Sequence, residues 1–332
     1  MQHNTPEELH KRGKLYIWSA IGIGIVGISL LGWWDSTQYA KGYSDMWLTR
    51  LVYMVVYFGS FAVVFVVVVR LAQAGRALLQ RSAEEVILYD ARAPVLYLRS
   101  FQSDSTMRGK GQALGYTEEE QWVKALSAIG PVIALDCPWE KTRNPGAARL
   151  RPTYDNWQEI VCSHLATARL TVIRVSNTSA LQWEMEQAKG LVKPESLVFF
   201  LPGRRELNYK EFQHFANERL GISLPIPKQE TLRQRLGLRT PLLPKVSDYL
   251  SVEHILMFDA KWNPVLLDIP VNMLHFLRSP LKSGLTASIR FALKPVFNNL
   301  GIFWNRPSLK LGPIIVAVIF IVATVAGILE HK

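Results

Sequence analysis

Cysteine is scarce. Cys137 and Cys162 are the only two in 332 residues, which excludes a disulfide-stapled fold, and two lone thiols make no zinc pattern. They suit a reducing compartment, where isolated cysteines pack as small apolar side chains. No P-loop, nucleophile elbow, HExxH pair or kinase signature is present, which removes the commonest enzyme classes; no metal site is expected. Charge is missing from three long stretches. Leu15–Trp34, Leu51–Val69 and Leu311–Leu329 contain no Asp, Glu, Lys or Arg, and as helices each can cross a hydrocarbon core of roughly 30 Å. They offer no ionisable acid or base for an ion or proton path, so transport is a poor expectation. Acid is also missing between Asp268 and Glu330.

What is present is a net charge of +11 with the basic residues unevenly placed. Lys11, Arg12 and Lys14 precede the first apolar run, Arg70, Arg76 and Arg81 follow the second, and Lys41 and Arg50 lie between against Asp35 and Asp45. By the positive-inside rule both basic flanks are cytoplasmic. The expected topology is a multi-pass inner-membrane protein with a cytoplasmic tail at 1–14, a short external loop at 35–50, a helical linker at 70–92, and the N-terminus and main domain in the cytoplasm. The first run outlasts a signal-peptide core and ends in Trp33-Trp34, so a retained anchor is expected. Gly22-Ile-Gly24-Ile-Val-Gly27 matches the dinucleotide fingerprint in spelling only, because it lies inside an apolar run with no strand before it. Ala20 with Gly24, and Ala323 with Gly327, offer small faces for helix packing.

Between the runs the pattern alternates. Pro94–Leu98, Val132–Leu135, Leu170–Val175 and Ser196–Leu201 read as buried strands, while Glu118–Ile129, Asn156–Ala168 and Leu181–Leu191 carry helical apolar spacing. That order predicts an α/β domain over 93–250 with a mostly parallel sheet flanked by helices. Tyr209–Leu220 reads as a further helix, and Ile255–Phe258 with Val265–Ile269 as a hairpin about Asn263-Pro264. From Leu274 to Lys310, Arg278, Lys282, Arg290, Lys294, Arg306 and Lys310 interleave with apolar residues. This 251–310 segment is expected to end in a juxtamembrane stretch lying on anionic inner-leaflet lipid, or alternatively in a helix packed on the domain. The basicity is not on a recognisable nucleic-acid module, so no nucleic-acid partner is expected.

Ligands in such sheets bind at the carboxyl ends of strands, which singles out three loops. Arg99, Ser100 and Asp104 follow the first strand, Arg143, Asn144 and Gly146 lie in a turn-rich loop after the second, and Ser176 follows the third. Ser176 introduces the helix with Trp183, Glu184 and Glu186, whose carboxylates are of the type that holds sugar hydroxyls or steadies a cationic glycosidic carbon. Residues two apart on a helix point about 200° apart, so only one glutamate can face a cleft, and Glu184 is favoured. Trp183 is either a core anchor or a stacking platform, Asp104 a turn cap or a ligand contact, and the loop arginines solvated or phosphate-binding.

The strand-loop order over Ala93–Leu201, the Arg143-Asn144-Pro145-Gly146 loop and the Ser…Trp…Glu helix resemble a Toll/interleukin-1 receptor (TIR) domain. In the family a glutamate stands four residues after the tryptophan; here Glu184 and Glu186 stand one and three after Trp183, and the fourth position is Gln187. The resemblance implies a sensing or effector role in signalling or defence, acting either by cleaving NAD at the nicotinamide–ribose bond, with NAD as substrate and no cofactor, or by non-catalytic self-association or nucleotide-signal binding that rearranges the spans.

Overall fold

The computed structural model describes residues 6–40, 47–100, 117–136, 145–153, 155–203, 207–225, 250–270 and 284–307. The chain divides into a helical unit up to Gln80 and an α/β unit from Arg81 onward.

The helical unit is a pair of long helices, α1 (Pro6–Ala40) and α2 (Trp47–Leu78). Within them Glu8–Trp33 and Val55–Leu78, of mean hydropathy 1.9 and 2.4, are long and apolar enough to cross a membrane. Their apolar side chains face outward, as Trp18, Ile25, Val55 and Val63 do, which is not how a core helix of a soluble protein behaves. Glycine sets the closeness of the pair. A Cβ on Gly75 would sit 2.7 Å from Ile17 Cγ1 and 2.9 Å from the Gly13 carbonyl oxygen, and one on Gly27 would sit 2.7 Å from Val64 Cγ1. Of the small residues expected to pack, Ala20 is buried and Gly24 lies opposite Val68. The third apolar run, Leu311–Leu329, lies outside the described residues.

The α/β unit begins with α3 (Ala83–Tyr89). The helical linker expected over 70–92 is not one continuous helix: α2 ends at Leu78, and the Ser82 hydroxyl accepts the Glu85 N–H at 3.3 Å and starts a separate helix, as a serine N-cap does. Next come β1 (Val95–Arg99), α4 (Glu118–Leu126), β2 (Val132–Leu135), the short β3 (Ala148–Leu150), α5 (Trp157–Thr167), β4 (Leu170–Arg174), α6 (Ser179–Leu191), β5 (Leu197–Pro202) and α7 (Tyr209–Arg219). β6 (Val252–Phe258), β7 (Pro264–Asp268), α8 (Gly284–Ala292) and α9 (Lys294–Asn299) complete it.

The seven strands form one sheet in the order β3-β2-β1-β4-β5-β6-β7. The first five are parallel and the last two antiparallel. Segment 251–310, expected outside the 93–250 domain, therefore supplies two strands of the same sheet. Apolar layers cover both faces. Leu96, Leu98, Ile133, Ile173, Leu181, Met185, Phe199 and Phe212 form one core, beneath α3, α5, α6 and α7. Val95, Tyr97, Trp122, Leu126, Val172, Phe200, Ile289 and Phe297 form the other, beneath α4, α8 and α9. The amphipathic stretch thus spends the apolar side of 284–299 on the sheet, because the second face needs a cover and α4 alone is too short to supply it.

From β1 the chain moves to β2 on one side and later returns to β4 on the other, so the carboxyl ends of β1 and β4 form the switch point at which open α/β sheets bind ligands.

Candidate functional site

At that switch point two arginines stand side by side. Arg99 and Arg174 are the last residues of β1 and β4 and are register partners. Alternation places them on the same face as Val95, Tyr97, Leu170 and Val172, and both are buried. A buried guanidinium persists only with a carboxylate or equivalent acceptor, and three consecutive glutamates at the start of α4 are placed to provide it.

Each glutamate does a different task. Glu120 closes a capping box with Thr117, the reciprocal pairing that satisfies orphan donors at a helix start. Glu119 turns inward: its Oε1 accepts Arg149 Nη2 at 2.6 Å and the Ala147 N–H at 3.0 Å, and its Oε2 lies 3.2 Å from Arg99 Nε. Burial pushes this carboxyl upward, but the guanidiniums of Arg149 and Arg99 and the Ala147 N–H outweigh it and hold it below the ordinary carboxylate value. Gly146 makes room for this contact, since a Cβ there would collide with the Glu119 carboxylate.

Glu118 is buried on the other side of the helix start. It accepts the Ser251 N–H and hydroxyl, each at 2.9 Å, and Trp122 Nε1 at 3.1 Å. Arg174 Nη2 in turn donates to Ser251 Oγ at 3.0 Å, so the end of β4, the approach to β6 and the start of α4 share one polar network. Tyr97 lies in the same neighbourhood, with its buried hydroxyl lacking a hydrogen-bond partner. Burial raises its phenol far above the ordinary range, with Arg174 pulling the other way.

On the opposite face α6 carries the second group of expected residues. Glu184 shares the inner side of the helix with Leu181, Met185 and Ala188. It is only 8% exposed, and its Oε2 is buried without a hydrogen-bond partner. Desolvation pushes its carboxyl up to about 8, so near neutral pH it carries its proton. Glu186 points elsewhere and accepts Arg219 Nε of α7 at 2.7 Å. Trp183 packs on the first core, edge to face with Trp157 at a centroid distance of 4.9 Å. Ser176 and Thr178 exchange a hydroxyl contact at 3.2 Å, while the adjacent Asn177 donates to Glu211 at 2.7 Å.

The expected residues thus fall into two sets on opposite faces of the sheet. Arg99 and Gly146 belong to the α4 network, whereas Trp183, Glu184 and Glu186 belong to α6, and Ser176 lies in the loop leading to it. Ser100, the residue after β1, is buried. Asp104, Arg143 and Asn144 lie outside the described residues. Sequence reasoning did not single out Glu118, Glu119, Tyr97, Arg174 or Ser251, and treated Arg149 only as one of several loop cations. The available signals were the Thr-x-x-Glu capping box opening on a run of glutamates, and arginine closing two otherwise apolar strand runs.

No family model, curated protein or solved structure matches the chain.

Proposed function

We propose that the chain is a membrane-anchored, TIR-like sensing or effector module whose α/β unit hydrolyses NAD at the nicotinamide–ribose bond, with Glu184 as the carboxyl that meets the ribose. The observation that supports this is Glu184 itself. A carboxyl buried among apolar side chains with one oxygen unpartnered is costly to folding, and strongly perturbed acids of this kind concentrate at functional sites. It lies on the helix that follows β4, one of the two strands at the switch point. Sugar hydroxyls would supply the hydrogen bonds its buried oxygen lacks, and its ionised form would steady positive charge at the glycosidic carbon.

The experiment is NAD consumption by the purified full chain in detergent or vesicles. Turnover that disappears in Glu184→Gln and survives in Glu186→Gln supports the reading. Absence of turnover at high protein concentration removes it.

The second reading is a non-catalytic module that self-associates or binds a nucleotide signal and rearranges the spans. The closed ion pairs of Arg99 and Arg149 with Glu119 favour it, because guanidiniums so engaged hold the fold together and are not displayed to a substrate. Cross-linking in membranes should then give oligomers that depend on residues 143–146, and a strictly monomeric protein would argue against it.

A further inference from the structure

Arg290 is half-buried and has no acid beside it. It lies in the last turn of α8, where the carbonyl end of a helix suits a cation, and its Nη2 donates to the Asn305 carbonyl at 3.2 Å. Its Nε is buried with no acceptor. Burial alone bears on the ionisation of this guanidinium and pulls it below the ordinary arginine value, with no carboxylate acting the other way. A guanidinium withdrawn from water normally faces a carboxylate or a phosphate; this one has a single neutral carbonyl.

The groups around it are basic or aromatic. Between α8 and α9 the Leu293 N–H still donates to the Ile289 carbonyl at 2.9 Å, so Arg290 and Lys294 stand four residues apart on helical backbone and share a face, where like charges repel. After α9 the chain turns back at Gly301, in the left-handed region with φ of 63°, and lays Trp304 beside both. The Trp304 indole N–H donates to the Arg290 carbonyl at 2.9 Å, and its ring centre lies 5.2 Å from that of Phe291 and 5.4 Å from Lys294 Nζ. Exposed Arg306 follows.

The acids of the surrounding elements are engaged elsewhere. Glu118 holds Ser251, Glu119 holds Arg149 and Arg99, Glu120 closes the α4 cap, Asp259 binds its own turn and Asp268 meets His254. Glu253 lies against Gly203, and Glu195 lines a groove with Asn299 and Leu300 at the far end of α9. Among the described residues Arg290, Lys294 and Arg306 form no ion pair. A merely solvated basic face would account for the exposed Lys294 and Arg306. It does not account for a guanidinium fixed at one nitrogen and buried without an acceptor at another.

We infer that Arg290, Lys294 and Trp304 form a binding site for a phosphate group, whose oxygens take the guanidinium and ammonium donors while the indole forms the wall. Charge-assisted hydrogen bonds of this kind are the strong ones, and arginine's planar fork matches phosphate geometry. The same chemistry admits a phospholipid headgroup or a soluble phosphate compound. The site lies wholly within the α/β unit and rests neither on NAD cleavage nor on how the apolar helices meet a membrane.

The test uses the full chain in non-ionic detergent, labelled with 5-fluorotryptophan, with the Trp304 fluorine resonance assigned by its loss in Trp304→Phe. Inorganic phosphate is exchanged for chloride at constant ionic strength and pH; in a second arm, phosphatidylglycerol or phosphatidylcholine is doped into the detergent micelles. Phosphate or phosphatidylglycerol should move the Trp304 resonance saturably. Lys294→Gln and Arg290→Met should each weaken the response by about tenfold, as loss of a charged hydrogen-bond partner does, and the other tryptophan resonances report that each variant is folded. A response to inorganic phosphate supports the site and assigns a soluble ligand; one to phosphatidylglycerol alone, with phosphatidylcholine inert, supports it and assigns a headgroup. No movement with either probe overturns the inference, as does an equal response to chloride. Lys294→Gln, a change at an exposed position, keeps the test decisive if Arg290→Met does not fold, and a response unchanged in Lys294→Gln overturns the site.

Discussion

Glu119 in the first turn of α4 and Arg149 in the edge strand β3 form a buried ion pair at 2.6 Å. Through Arg99 and the Ala147 N–H, the same carboxylate also holds the end of β1 and the chain entering β3. Removing one partner of a buried pair leaves the other charge uncompensated. Glu119→Gln should therefore destabilise the α/β unit by about 3–5 kcal/mol, whereas replacing Glu119 and Arg149 together by Leu and Met should be much milder. Urea unfolding followed by tryptophan fluorescence distinguishes the two; a single variant as stable as wild type would contradict the assignment.

The pair also sets an acid limit. Glu119 titrates below the ordinary carboxylate value in the fold, so its contribution is fully present above the unfolded value of about 4.3 and is lost as pH falls through the folded one. The stability gap between wild type and Glu119→Gln should be constant above about pH 5 and narrow below about pH 4. Thermal melts across that range measure it.

Glu184 predicts the reverse slope. Its folded value of about 8 exceeds the unfolded one, so between those two values the native state holds a proton that the unfolded state has lost. Stability then falls as pH rises, by up to about 1.4 kcal/mol per unit from this group. Glu184→Gln removes that slope and should melt higher than wild type near pH 8. If the ionised carboxylate serves in NAD cleavage, wild-type turnover rises with pH towards about 8, and the glutamine variant stays inactive while remaining folded.

The neighbouring glutamate is a control within the same helix. Glu186 pairs with the exposed Arg219 on the protein surface, where solvent and salt screen the interaction. Glu186→Gln should leave both the melting temperature and any NAD turnover unchanged, and a large loss in either would place the active carboxylate at the wrong residue.

Much of the architecture was legible because each element carried its own period. The runs at Val95, Val132, Leu170 and Leu197 are strands, the helices between them begin and end close to where apolar spacing does, and Asn263-Pro264 lies at the turn between β6 and β7. The three residues of β3 were too few to show a period within a polar loop. The cover on the second face was ambiguous for a different reason: Ile289, Leu293, Val296 and Phe297 give an amphipathic pattern that suits a sheet as well as a bilayer, and only the sheet's unfilled face decides between them. The α4 network was hidden because Glu118, Glu119 and Glu120 look alike in sequence. Their separate roles depend on Ser251, far along the chain, and on arginines from three different strands.

Gly146 provides the sharpest test of that hidden arrangement. A methyl group at this position would occupy the space taken by the Glu119 carboxylate, and the carboxylate cannot withdraw without losing Arg149 and the Ala147 N–H. Gly146→Ala should cost about 1–3 kcal/mol, as overpacking of a filled interior does. In the Glu119→Gln background the charge pairing is lost and the side chain can withdraw, so the steric part of the cost should shrink, while the strain of an L side chain at the Gly146 φ of +156° persists. The two changes are thus expected to be non-additive, with a coupling of about 0.5–3 kcal/mol in a double-mutant cycle. Simple additivity would mean that Gly146 is required only for its backbone conformation and that the loop does not close against Glu119.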